Sequence, residues 1–299
     1  MHKKNKKYMK KLSFQNNAVV GIVSAFLIIG LIVTVLSVFQ ITYVPKMMKE
    51  KEAEHMNKVA EQFAQLKYAI DTHSSTKQET IPISTSITLG SREHTYFLSV
   101  RAFGSLNIVE KDVTISIKNN TDTFTYSLGS IKYQAHNAYY VRQNYIHEAG
   151  SVILDQEGKN IVTIKPPIQI DKQKNVSIYY DLINISTIGE KSSISGFGTY
   201  PIQTEYIDTE YKPNIEGATN FTIITKYSNA WYNFLDKTLI KSGLNYNGPD
   251  TNYTIQKKDD KVIILFTGST ILNPLTINVY MDIINIGAQV APGWVENTK

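Results

Sequence analysis

Hydrophobic positions along the chain fall into three successive patterns. From Ala18 to Phe39 they form one run, AVVGIVSAFLIIGLIVTVLSVF, in which only Ser24, Thr34 and Ser37 are polar, and no charge occurs between Lys11 and Lys46. As a helix this run is about 33 Å long, enough to cross the hydrocarbon core of a bilayer. Each of the three hydroxyls can bond back to its own helix. Further on, Met56, Val59, Phe63, Leu66 and Ile70 recur at spacings of three and four among good helix formers, which predicts an amphipathic helix. Pro45 fits the first turn of that helix, or kinks one long helix that begins in the membrane. After a linker at His73–Glu79, short runs rich in Ile, Val, Thr, Tyr and Phe alternate with Gly, Asn, Asp and Pro clusters. The runs are IPISTSITL, HTYFLSVRAF, DVTISIK, TFTYSL, NIVTIKP, NVSIYYDLINIS, NFTIITKY, KVIILFTGS and LTINVYMDIINIG. This is the pattern of an antiparallel β protein. One helical segment, Asn229–Lys241, interrupts it.

The expected fold is therefore mainly β: a long N-terminal transmembrane and stalk helix, then a duplicated, antiparallel, β-sandwich-like ectodomain. The expected boundaries are a basic leader at 1–17, a membrane helix at 18–44, an amphipathic stalk at 45–72, and β units at 80–188 and 189–290. The duplication rests on SIYYDLINI (Ser177–Ile185) and NVYMDIINI (Asn278–Ile286), which share Tyr, Asp, Ile, Asn and Ile at an offset of 101. The same offset pairs Asn160–Ile164 with Lys261–Leu265, and Ala102–Ser105 resembles Gly196–Thr199. Within the repeated strand, Asp181 and Asp282 interrupt apolar sequence. A buried carboxylate there needs backbone N–H groups, a tyrosine hydroxyl or a calcium ion.

The net charge of +5 would suit a nucleic-acid partner only if it were spread over the folded surface. Instead Lys3, Lys4, Lys6, Lys7, Lys10 and Lys11 crowd in front of the apolar run, leaving 25 basic against 26 acidic residues elsewhere. No nucleic-acid partner is expected; the expected partner is a lipid bilayer. The lysines place the N-terminus in the cytoplasm and the C-terminal region outside the cell by the positive-inside rule. A cleaved secretory signal has a shorter apolar region ending in small residues. The stalk stripe needs a cover, either the protein's own β-domain or other copies. Gly21 and Ala25 make a small-xxx-small pair in the membrane helix.

Zero cysteines exclude disulfides, thiolate metal sites and cysteine nucleophiles. His136 and His147 lie near Glu148, but their spacing matches no ligand pattern. There is no nucleophile elbow or phosphate loop, and Thr238–Lys241 is a chance hydroxyl-x-x-lysine match. The expectation is a non-enzyme without cofactor. Asn119, Asn175, Asn184, Asn220 and Asn252 head Asn-x-Ser/Thr sequons that permit glycosylation on an exported domain.

The layout Asn16–Val23, apolar helix, amphipathic continuation and β-domain resembles archaeal type IV pilin-like envelope proteins. AEQFAQLKYAID, PISTSITLGS and SISGFG are similar to uncharacterised pilin-like proteins of methanogens. The resemblance implies a leader cut between Asn17 and Ala18, and assembly with copies of itself or other pilin-like subunits. Asn17 stands where the family has a basic residue, and no glutamate occurs early in the apolar run. The alternatives are a structural or adhesive surface protein and an anchored ligand-binding or sensory ectodomain that does not polymerise.

Overall fold

The computed structural model describes residues 6–78, 81–92, 101–246, 251–267 and 276–291. The chain forms two compact units, residues 1–51 and 52–299. In the first, α1 (Lys6–Val38) runs into a π-helical turn (Phe39–Tyr43) and then α2 (Val44–Thr76). Pro45 explains the turn. Its ring crowds the carbonyl one turn back and it donates no hydrogen bond. The ladder widens so that the Val44 N–H reaches the carbonyl of Phe39, five residues earlier. Ser24, Thr34 and Ser37 donate to the carbonyls of Val20, Gly30 and Val33 at 2.9, 2.8 and 2.7 Å, so the apolar run carries no unsatisfied hydroxyl. The backbone of α1 includes Asn17 and Ala18; their side chains lie outside the described residues.

The second unit holds the rest of α2 and the strands. They are β1 (Ile83–Thr88), β2 (Ser91–Arg92), β3 (Arg101–Lys118), β4 (Thr123–His136), β5 (Gln143–Glu148), β6 (Ser151–Gln156), β7 (Lys159–Ile164), β8 (Ile168–Lys172), β9 (Val176–Tyr180), β10 (Leu182–Thr187), β11 (Ser193–Gly196), β12 (Thr199–Tyr211) and β13 (Asn220–Ile224). After α3 (Ser228–Lys241) come β14 (Tyr253–Lys258), β15 (Lys261–Phe266), β16 (Ile277–Tyr280) and β17 (Asp282–Val290). The expected run HTYFLSVRAF lies largely outside the described residues. The largest sheet has the order β14-β15-β13-β3-β4-β5-β6-β7, with β2 and β11 also paired to β3. A four-stranded sheet runs β1-β12-β17-β10, and a three-stranded sheet β16-β9-β8. Because β12 joins β1 to β17 and β3 joins β11 and β13, strands from both sides of residue 188 are interwoven within single sheets.

Two hydrophobic cores result. One gathers Val113, Ile115, Leu128, Ile146 and Ile153 with Trp231, Leu235 and Leu239 of α3. The other gathers Leu106, Ile131, Tyr133, Tyr145 and Val152 with α2. Along β5 and β6, neighbouring residues feed different cores, so these strands are covered on both faces. Met56, Val59, Phe63, Leu66 and Ile70 are all buried in the second core. The stripe is thus covered by the protein's own β-sheets. The expectation of an assembly face at these five positions is corrected: enclosed side chains offer no area to a neighbouring copy. Polar side chains on the same face of α2 secure the docking. The buried Glu52 carboxylate accepts the N–H groups of Ala138, Tyr139 and Tyr140 at 2.9, 2.8 and 2.6 Å. Gln62 bonds both the N–H and the hydroxyl of Thr88, and a ring nitrogen of His73 meets the Thr204 carbonyl.

The repeated segments lie side by side. β9 pairs with β16 and β10 with β17, both parallel, with Ser177 opposite Asn278, Tyr179 opposite Tyr280 and Asn184 opposite Asn285. Each segment breaks at its centre and passes from the three-stranded to the four-stranded sheet. Val176, Ile178, Tyr180 and Leu182 enter the first core with Ile277, Val279, Met281 and Ile283; Ile183 and Ile185 enter the second with Ile284 and Ile286. Tyr179 is exposed and stacks on Tyr280 at 4.9 Å, so this face of the segment is not covered as its apolar sequence predicts. Asp181 and Asp282 are partly exposed rather than buried, and both face the Lys77 ammonium, at 3.5 and 3.6 Å.

The match of Asn160–Ile164 to Lys261–Leu265 is displaced by one residue. The hairpin β6–β7 closes at Gln156 and Lys159, and β14–β15 at Lys258 and Lys261, an offset of 102. A one-residue slip exchanges the two faces of a strand, and only the structural offset places Val162 over the buried Ile264. Ala102–Ser105 and Gly196–Thr199 touch only at one antiparallel pair, Gly104 with Gly196, whereas the match aligns Gly104 with Gly198.

Replacing Phe63 with alanine is expected to destabilise the domain by about 3–5 kcal/mol, through lost burial and an unfilled cavity. Urea denaturation of the detergent-solubilised protein, followed by tryptophan fluorescence, checks this.

Candidate functional site

A groove of about 760 Å³ lies between β7 and α3 in the second unit. One wall is β7 and the residue after it (Asn160–Thr163, Lys165); the other is one face of α3 (Ala230, Phe234, Lys237, Thr238, Lys241), with Asn233 and Ile240 beside it. Ala230 to Lys241 spans about 16 Å of helix and Asn160 to Lys165 about 16 Å of strand, so the walls match in length. Ile161 and Ile240, each 55% exposed, give the groove apolar surface. Lys165, Lys237 and Lys241 line it, no acidic side chain does, and none of the three forms an ion pair among the described residues.

Two buried contacts set the walls. The side chain of Tyr227 at the start of α3 makes no capping bond; instead the Ala230 N–H donates to Oδ1 of Asn160 on β7 at 2.6 Å. The same N–H also reaches the Tyr227 carbonyl at 3.0 Å, so it is shared between the first turn of α3 and β7. Deeper in, Glu148 at the end of β5 accepts from the Trp231 indole at 2.6 Å and the Thr225 hydroxyl at 2.8 Å. The adjoining two-residue turn puts Ala149 and Gly150 at φ 46° and 78°, and a Cβ at position 150 would come within 2.7 Å of the Pro167 ring. Burial pushes the Glu148 carboxyl up to about 7, against the lowering effect of its two donors, and Oε2 has no protein partner. The burial therefore favours the protonated form, against the pull of the two donors.

His147, one residue earlier on β5, points to the other core, as strand alternation requires. Burial pushes it down to about 3, with the Lys67 charge adding to the effect. His136 is exposed and stacks on Phe103 at 4.4 Å. The three residues considered as a metal cluster are therefore dispersed. The Lys77 ammonium occupies the position between Asp181 and Asp282 that a calcium ion would take.

Among the sequons, Asn175 is exposed, and Asn119 and Asn220 are half-buried. Asn252 is buried, and both ends of the Asn184 amide are engaged, by the Gly129 N–H and by Asn285. Glycosylation of the folded domain at these last two is corrected on that ground. A second groove, about 440 Å³ between α2 and β1, carries no charged side chain.

No protein-family model, curated protein or solved structure matches the chain.

Sequence reasoning missed the groove because its walls are some 70 residues apart. The only available signals were Lys237 and Lys241, one turn apart on a predicted helix.

Stability is expected to respond to the buried pair with opposite signs. Glu148 binds its proton more tightly when folded, so its contribution is full below its ordinary 4.5 and is lost as pH rises toward 7. His147 is held neutral, so its contribution is full above its ordinary 6.5 and is lost as pH falls toward 3. Between 4.5 and 6.5 these two slopes oppose each other, while His55 and His73, also lowered by burial, favour the higher pH. Removing the His147 contribution in His147→Leu should make the slope of stability against pH more negative than in the unaltered protein by about 1.4 kcal/mol per pH unit across that window. Urea titrations of both proteins at half-unit pH intervals measure it; equal slopes contradict the assignment.

Proposed function

We propose that this chain is a single-pass, membrane-anchored protein of the cell surface, with its N-terminus in the cytoplasm and its β-domain outside, acting without catalysis by adhesion. The observation that carries this reading is the apolar helix near the N-terminus: its most hydrophobic window has a mean hydropathy of 2.9 and is wholly unburied, with Phe26 and Leu27 each 70% exposed. So much apolar surface, facing every direction around one helix, calls for lipid as its solvent. The six lysines before it support the orientation. The groove between β7 and α3 supports a binding role for the exported domain.

In the pilin-like reading, copies assemble after a cut between Asn17 and Ala18. With the stalk stripe enclosed, helix contacts between copies fall to α1, where Gly21 has open space around it. The groove favours the other reading, an anchored binding ectodomain that does not polymerise.

Replacing all six leader lysines with glutamine is expected to scramble orientation, leaving part of the population protected from externally added protease, while the unaltered protein is fully accessible. Full accessibility of the variant contradicts the topology argument. Intact-mass measurement of the native protein is expected to retain residues 1–17; their loss would indicate leader processing and favour assembly.

A further inference from the structure

We propose that the groove between β7 and α3 binds an extended acidic peptide segment, which adds to β7 as a further strand. The inference rests on outward display of the β-domain only for its biological setting, not for its chemistry.

Three independent features converge on this ligand. The first is the open edge. Among the described residues, β7 ends the large sheet and pairs only with β6. The two-residue hairpin closes at Gln156 and Lys159, and that pair exchanges both its hydrogen bonds. Alternation then turns the N–H and C=O groups of Asn160 and Val162 away from β6, and they have no protein partner among the described residues. An unpaired edge of this kind is a template for strand addition.

The second feature is the charge of the opposite wall. Lysines on an edge strand can simply guard it against aggregation, and Lys165 beside β7 could serve that purpose. Lys237 and Lys241 do not, because they stand on α3 across the groove. Their spacing of four residues rises about 6 Å along a helix. Alternate residues of a strand are about 6.6 Å apart. Carboxylates at alternate positions of an added strand therefore meet the two ammonium groups in turn.

The third feature is the apolar surface. Ile161 and Ile240 are each 55% exposed within the groove. They favour a peptide whose intervening side chains are aliphatic over a purely polar polyanion.

The test uses the full-length protein in detergent and a fluorescein-labelled octapeptide of alternating glutamate and valine, read by fluorescence anisotropy. Saturable binding is expected, weakened at least tenfold in Lys237→Glu/Lys241→Glu and at least tenfold by N-methylation of alternate peptide amides, which blocks strand pairing without changing charge. The substituted lysines are exposed, and an unchanged circular dichroism spectrum certifies the fold. Three results overturn the proposal: no binding, equal binding of the N-methylated peptide, or stronger competition by polygalacturonate than by unlabelled peptide, which would assign the groove to anionic polysaccharide. Because the measurement is made on purified protein, its failure leaves the surface-anchor reading to the protease experiment, and a failed topology experiment leaves the peptide result standing.

Discussion

The β-domain depends on one constraint: two copies of the same apolar segment pair in parallel and in register. Apart from Tyr180 and Asp181 at the break, every residue of Ser177–Ile185 is paired with its own counterpart, so the chemistry of each such position is doubled. For the apolar positions this is favourable, since identical β-branched side chains pack side by side and extend each core. For the polar positions it creates demands. Two tyrosines must stack, as Tyr179 and Tyr280 do. Two aspartates face each other, and like charges directly opposite are destabilising. Lys77 answers that demand, standing within 3.6 Å of both carboxylates. It lies just past the end of α2 with φ at +46°, its N–H returning to the His73 carbonyl, the left-handed arrangement that ends many helices. The point at which α2 stops is thus coupled to the repeat.

The doubled asparagines impose a direction. The Gly129 N–H donates to Asn184 Oδ1, Asn184 Nδ2 donates to Asn285 Oδ1, and Asn285 Nδ2 donates to Asp208 and Glu210. A backbone N–H can only donate and a carboxylate can only accept, so both amide orientations are fixed from the ends of the chain. The bonds cross β4, β10, β17 and β12, and so link the large sheet to the four-stranded one. Gly129 has no side chain for a physical reason: a Cβ there would lie 1.9 Å from the Ile185 carbonyl oxygen.

The parts of this structure legible in the sequence are those where one period dominates. The continuous run at Ala18–Phe39 could be read directly because it is apolar on every side, and the stripe from Met56 to Ile70 because burial follows helical geometry. The polar residues that share the buried face of α2, Glu52, His55, Gln62 and His73, could not: polarity there reflects a backbone partner elsewhere, not water. β12 was missed for a similar reason. Pro201, Glu205, Asp208 and Glu210 interrupt its apolar pattern, although the strand is paired on both sides by β1 and β17. The repeat itself was visible, but not its parallel pairing. Short β runs separated by turn residues suggest neighbours in sequence, whereas these partners are 101 residues apart.

The groove draws these threads together, because its two walls belong to different parts of the chain and neither is rigid alone. β7 is an edge strand, and α3 is a fourteen-residue helix whose first turn has no side-chain cap of its own. What fixes them is the polar interior behind. Asn160 holds the first turn of α3 against β7, while Glu148 binds Trp231 on α3 and Thr225 just before it. By raising the Glu148 carboxyl, burial favours its protonated form, which lessens the desolvation cost of a buried charge. The Tyr180 hydroxyl, on the repeated segment, bonds the Ala149 carbonyl in the turn beside Glu148 at 2.7 Å. The in-register repeat therefore positions the turn, the turn positions Glu148, and Glu148 positions the helix that carries Lys237 and Lys241. In the proposed binding role, a surface held in this way would lose little freedom when a ligand arrives, which is the condition under which a few exposed contacts can be selective.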